Sequence, residues 1–169
     1  MPRSETAVHA AIRPSRPYSM AMPNIYIDGD ACPVKDEIVK VATRYGLAMY
    51  MVSNQGTRPR PVANYHVITV GTGFDAADDW IVEHIEAADI AITADILLAA
   101  RCLEKGASAL APTGQPFTAD NIGNALAMRS LSQYLREAGE MKGNNPSFTR
   151  KDRLQFLQAL DNLIQKLRR

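Results

Sequence analysis

Five short apolar runs, spaced along the chain by turn signals and helix-like segments, limit most strongly how it can fold. They are NIYID (24–28), LAMYMVS (47–53), YHVITV (65–70), DIAIT (89–93) and ASALAP (107–112). Helix-like patterns fall between them at 33–45, 74–88 and 95–105; the first is entered through Pro33 and left at Gly46, and the third ends at Gly106. The resulting order, β-α-β-β-α-β-α-β, predicts a three-layer α/β fold in which helices cover a mostly parallel sheet.

The flanking segments read differently. Residues 1–23 are rich in Pro, Ser, Arg and Ala without a sustained period, which predicts a disordered N-terminal extension, with Met20 or Met22 as alternative starts. Residues 24–169 are expected to form one domain. Its C-terminal helical extension covers about 118–168: a long helix capped by Thr118 that tolerates Gly123, the link EMKGNNPS, and a last helix. That last helix opens at Thr149 with Asp152 three residues on, a capping box with Asp in place of Glu. Leu154, Leu157, Leu160, Ile164 and Leu167 form one apolar stripe, to be buried within the chain or, alternatively, in a homodimer seam.

Composition narrows the class. The 169 residues are 46% hydrophobic and 22% charged, ordinary for a globular protein long enough to bury a core. Cys32 and Cys102 stand far apart with no CxxC or Cys/His cluster, so neither a zinc site nor a disulfide framework is indicated, and a reducing cytoplasm is the expected location. No run approaches the roughly 18 apolar residues of a membrane helix, nor the apolar core of a signal peptide. Charge is unevenly spread: residues 25–128 hold 7 Lys/Arg against 13 Asp/Glu, and residues 129–169 hold 9 against 4. An acidic body with a basic end suits a cation-dependent enzyme acting on a polyanion, although two solvated faces of unequal charge would look the same.

In open parallel sheets ligands collect beyond the carboxyl ends of the strands. Asp28 and Asp30 follow the first run and Asp95 the fourth; Asp95 also has the position of an ordinary helix N-cap. On the helix FDAADDWIVEHIEAA, Asp75, Asp79, Glu83 and Glu86 share the face opposite Trp80 and Ile81, and Glu83 and Glu86 are expected to be plain surface. Asp78 falls on the flank beside Ile81 and Ile85, where its neighbours repel it unless a positive charge compensates. The helix dipole supplies part of that compensation, and a divalent ion would supply more. Mg²⁺ or Mn²⁺ prefers such oxygen ligands and suits phosphodiester hydrolysis, so Asp28, Asp30, Asp78, Asp79 and Asp95 are the candidate ligands.

YIDGDACPVKDEI, GTGFDAADDWI, ADIAITADILLAARCLEKGA and DRLQFLQALDNLI closely resemble the bacterial YaiI/YqxD family of uncharacterised proteins, over nearly all of residues 24–168. More distantly, AADDWI is similar to the EADDVI segment of flap and polymerase-linked 5′ nucleases, and IAITADILLA to the strand-and-Asp segment of PIN-like nucleases. This resemblance implies a PIN-like fold and a nuclease acting on RNA ahead of DNA. Asp28, Asp78, Asp79 and Asp95 would then be catalytic metal-holding residues. The leading Glu of the nuclease segment falls on Ala76, and the second Asp of the flap-nuclease pattern on Leu97, which thins the implied metal site.

Two other readings stay open. Asp28-Gly29-Asp30 has the DxD spacing of haloacid-dehalogenase-like phosphatases, with Asp28 as nucleophile, Asp30 as acid/base and Ser53 in the place of the phosphate-binding serine; Cys32 stands where Thr or Val is usual, and AADDWI is left unexplained. A non-catalytic RNA-binding module would meet phosphates through Arg58, Arg60, Arg129, Lys151 and Arg153, and Lys35 is a further phosphate candidate. Cys32 reads as a small buried residue before Pro33 rather than a reactive thiol, and His66 and His84 as structural.

Overall fold

The computed structural model describes residues 22–73, 75–124, 126–128 and 148–168. The first strand, β1 (Ile25–Asp28), runs into a single 3-10 turn over Gly29–Ala31 and then helix α1 (Lys35–Tyr45). Strands β2 (Met49–Ser53) and β3 (Tyr65–Thr69), helix α2 (Ala76–His84), strand β4 (Ile90–Ile92), helix α3 (Ile96–Glu104) and strand β5 (Ser108–Leu110) follow. A two-residue strand, β6 (Pro116–Phe117), and helix α4 (Arg150–Leu167) complete the named elements.

The strands form one sheet in the order β3-β2-β1-β4-β5-β6. All neighbours pair in parallel except β5 and β6. Successive side chains in a strand point to opposite faces, and here both faces are covered. Ile25, Ile27, Met49 and Met51 pack with Ile38 and Val41 of α1 and with Phe156, Leu160 and Ile164 of α4. Tyr26, Tyr50 and Val52 pack on the other side with Trp80 and Ile81 of α2 and Leu98 and Cys102 of α3. This two-sided burial is why the strands read as nearly continuous apolar runs. It also fixes the direction of Asp28: two residues beyond Tyr26, it faces the α2/α3 side.

Several boundaries differ from the periodicity. Helix α1 begins at Lys35 because Val34, fully buried, serves as its N-cap; Pro33 lies in the preceding turn. Gly46 closes α1 at φ 67, a left-handed conformation that glycine adopts without strain. Helix α2 stops at His84 rather than at 88, because the buried Asp89 carboxylate takes the N–H groups of Glu86 and Asn24 and closes a turn there. His84 is structural, stacked on Trp80 at 3.8 Å with Nδ1 2.7 Å from the Trp80 carbonyl.

Helical residues begin at 119 after a reciprocal Thr118–Asn121 cap. The rest of the expected long helix and the link, 129–147, lie outside the described residues, as do 1–21 of the expected disordered extension. Helix α4 carries the Thr149/Asp152 capping box. Its buried stripe runs Phe156-Leu160-Ile164, flanked by Leu157, Leu163 and Leu167, while Leu154 is 56% exposed. Tyr45 Oη donates to Asp161 at 2.7 Å, joining α4 to the end of α1. Among the described residues, no helix is long and apolar enough to cross a membrane.

Candidate functional site

The carboxyl edge of the sheet between β1 and β4 gathers the acids. Asp28 ends β1, and the Thr93 hydroxyl, just beyond β4, donates to its Oδ2 at 3.0 Å. The same Thr93 oxygen accepts the backbone N–H of Asp95 at 2.9 Å. Asp95 in turn caps α3, its Oδ1 accepting from the N–H groups of Leu97 at 2.9 Å and Leu98 at 3.4 Å. One buried hydroxyl therefore ties the acid after the first strand to the acid after the fourth.

Gly29 makes the turn beyond Asp28 sterically possible. A Cβ there would lie 2.8 Å from Met51 Sδ and 3.0 Å from the Val52 carbonyl oxygen. Asp30, exposed on the same turn, accepts weakly from the Asn54 N–H at 3.5 Å.

Asp78, from the first turn of α2, faces this edge. Burial, then the charges of Asp28, Asp95 and Asp75, push its carboxyl up to about 6. Asp28 is also raised, by burial first; the Thr93 hydrogen bond opposes the rise, and the charges of Asp30 and Asp95 add to it. Asp79 turns elsewhere, its Oδ1 bound at 2.9 Å by Arg101 Nη2 of α3. Thus Asp28, Asp78 and Asp95, from three elements, share one electrostatic environment. Among the described residues, no three His, Cys, Asp or Glu side chains are spaced to hold a metal ion by themselves.

The basic candidates are dispersed. Arg60 binds Asp36 at 2.5 Å and lies 5.9 Å from the Tyr65 ring centroid. Arg153 donates to the Pro33 carbonyl at 2.6 Å and to Glu37 at 3.4 Å, clamping α4 to the entrance of α1. Arg58 and Lys151 are exposed, Lys35 is partly buried as the first residue of α1, and Arg129 lies outside the described residues. Ser53 is buried and follows Met51 in strand alternation, so it faces the α1/α4 side, opposite Asp28. Burial pushes the Cys32 thiol up to about 11, keeping it protonated.

Thr93 and Arg101 are the contributors that strand-end reasoning about acids overlooks. Thr93 has a faint signal: it stands at a strand end, two residues before a capping Asp, where its hydroxyl reaches the neighbouring strand. The partner of Arg101 is set only by how α3 packs beside α2.

A mostly parallel α/β protein with acidic residues at the carboxyl ends of its central strands β1 and β4 is the class that these features define. The chain belongs to the family described as Uncharacterized BCR, YaiI/YqxD family, whose model matches residues 26–166. A UPF0178 protein of Parvibaculum lavamentivorans is 54% identical over 148 residues, covering 88% of this chain and 97% of the relative. One from Mesorhizobium japonicum is 52% identical over 147 residues, covering 87% and 95%. No solved structure matches the chain significantly.

Proposed function

We propose that the chain is a PIN-like, divalent-metal-dependent phosphodiester hydrolase acting on RNA or structured nucleic acid, with Asp28, Asp78 and Asp95 as its acidic site. The observation that carries this reading is the Thr93 bridge, which orients Asp28 and anchors Asp95 on the same edge that Asp78 approaches. Paired strand-end acids explain a helix cap and a turn; a third acid packed toward them, at electrostatic cost, calls for a cation.

The donor chemistry fits Mg²⁺ or Mn²⁺, since every candidate ligand is a carboxylate oxygen. An ion of this kind keeps several waters and needs only one or two carboxylates together with substrate phosphates. When bound, such an ion would make water more acidic and neutralise charge on the leaving oxygen. The chain's own share is positional: Thr93 holds the Asp28 carboxylate, α3 holds Asp95, and Asp78 brings charge from the neighbouring helix α2.

The test is incubation of the purified protein with labelled single-stranded and hairpin RNA, with Mg²⁺ or Mn²⁺ and with chelator. Metal-dependent fragments are expected, with Asp28→Asn at least about 100-fold slower, the scale of losing a principal electrostatic contribution to the transition state. Intact RNA together with turnover of a small phosphate ester and a beryllofluoride adduct at Asp28 would replace this reading with the phosphatase one.

A further inference from the structure

Arg101 and Leu97 lie one helical turn apart on α3, so their side chains share a face. Leu97 is 51% exposed, on a different face of the helix from its fully buried neighbour Leu98. Arg101 reaches across to α2, where Nη2 bonds Asp79, and both side chains of this pair are about half exposed. Its charge also acts on Asp78. This ridge therefore borders the acidic edge, with an apolar step beside the Asp95 cap and a guanidinium against the α2 acids.

We infer that the Leu97–Arg101 ridge of α3 is a binding site for single-stranded nucleic acid, in which Arg101 exchanges Asp79 for a backbone phosphate while Leu97 supports a base.

A polyanion approaching these carboxylates needs a cation that can be recruited cheaply. An exposed ion pair is such a source, because solvent already screens most of its attraction. Guanidinium presents five donors in a planar fork suited to phosphate oxygens, and the contact to Asp79 uses one nitrogen. Arg60 and Arg153, in contrast, hold loop and helix packing together. An exposed leucine offers a base an apolar surface without sequence preference.

This inference rests on reading the acidic edge as a phosphodiester site, but it is tested separately, with full-length protein in chelator so that cleavage plays no part. The probe is a fluorescein-labelled 12-nucleotide oligouridine, with the oligodeoxythymidine as a second arm, followed by anisotropy over a salt series. Arg101→Ala is expected to raise Kd about tenfold and to flatten the slope of log K against log salt by about 0.7, the value for one single-strand phosphate. Arg101→Lys should fall between it and wild type. Leu97→Ser should weaken binding about threefold with the slope unchanged, since an apolar contact releases no counterions.

Asp79→Asn should tighten binding by freeing Arg101, and that gain should vanish in the Asp79→Asn/Arg101→Ala double variant. A gain that persists there means Asp79 only repels the strand and overturns the exchange. Unchanged affinity and slope in folded Arg101→Ala, checked by circular dichroism, overturns the site. RNA that binds through Arg101 but stays uncut with metal would refute hydrolysis and leave this inference standing. Metal-dependent cleavage with the same KM in Arg101→Ala would do the reverse.

Discussion

The Thr93 hydroxyl stands between Asp28 and Asp95, donating to the carboxylate of one and accepting the backbone N–H of the other. Thr93→Val keeps the shape and removes both bonds, one of them to a charged carboxylate. The expected cost is about 1–3 kcal/mol of stability, read as a lower urea midpoint. Loss of the hydrogen bond also removes the larger of the two influences that lower the Asp28 pKa, the Asp30 backbone N–H being the other, so the acid limb of the RNA-cleavage pH profile should move upward. Thr93→Ser should restore both properties; a Val variant that matches wild type in both would show that the hydroxyl positions nothing.

Asp95 caps α3, and the proposed function gives it a second role in the acidic site; one pair of substitutions separates the two. Asn caps a helix about as well as Asp, whereas Ala loses about 1 kcal/mol. Asp95→Asn is therefore expected to unfold at the wild-type midpoint while cleaving RNA far more slowly, and Asp95→Ala to lose both. Full cleavage by a stably folded Asn variant would reduce Asp95 to the cap seen at α3.

Asp78 makes the metal-free protein sensitive to pH in a stated direction. Its carboxyl is held near 6 against an ordinary value of 3.8, so the folded chain keeps this proton to higher pH than the unfolded chain does. Stability should fall as pH rises from about 4 to 6, and the penalty should then be constant. Asp78→Asn should match wild type below about pH 4 and exceed it by about 1 kcal/mol above pH 6, a value reduced for solvent screening. Urea midpoints in chelator from pH 4 to 8 would show this divergence. Added Mg²⁺ should then raise the wild-type midpoint more than that of the variant.

The succession of strands and helices along the chain, and the covering of both sheet faces, were legible because a strand buried on both sides must be apolar along its length, a local property; the order of the strands within the sheet was not. Asp28 and Asp95 were legible as strand-end acids through the same local property. What escaped depends on distant partners. The start of α1 is set by how deeply Val34 packs, and the end of α2 by Asp89 bonding back to Asn24 and Glu86. The two-residue β6 is too short to show a period. Thr93 and Arg101 take their meaning from residues 65 and 22 positions away, and spacing along one chain cannot display such pairs.

Helix α4 gives the sharpest contrast between pattern and packing. A stripe begun at Leu154 matches the leucine spacing, yet the fully buried positions are Phe156, Leu160 and Ile164, four residues apart. The clamp of Arg153 onto the Pro33 carbonyl and the Asp161 contact with Tyr45 set the helix rotation that turns Leu154 outward. Phe156→Ala should therefore cost about 3–5 kcal/mol by emptying the core on the α1 side of the sheet. Leu154→Ala should change stability by less than about 0.5 kcal/mol. Equal losses in denaturant unfolding would mean that Leu154 is buried in solution by a second copy. Sedimentation at rising concentration would then show a dimer that Leu154→Ala dissolves.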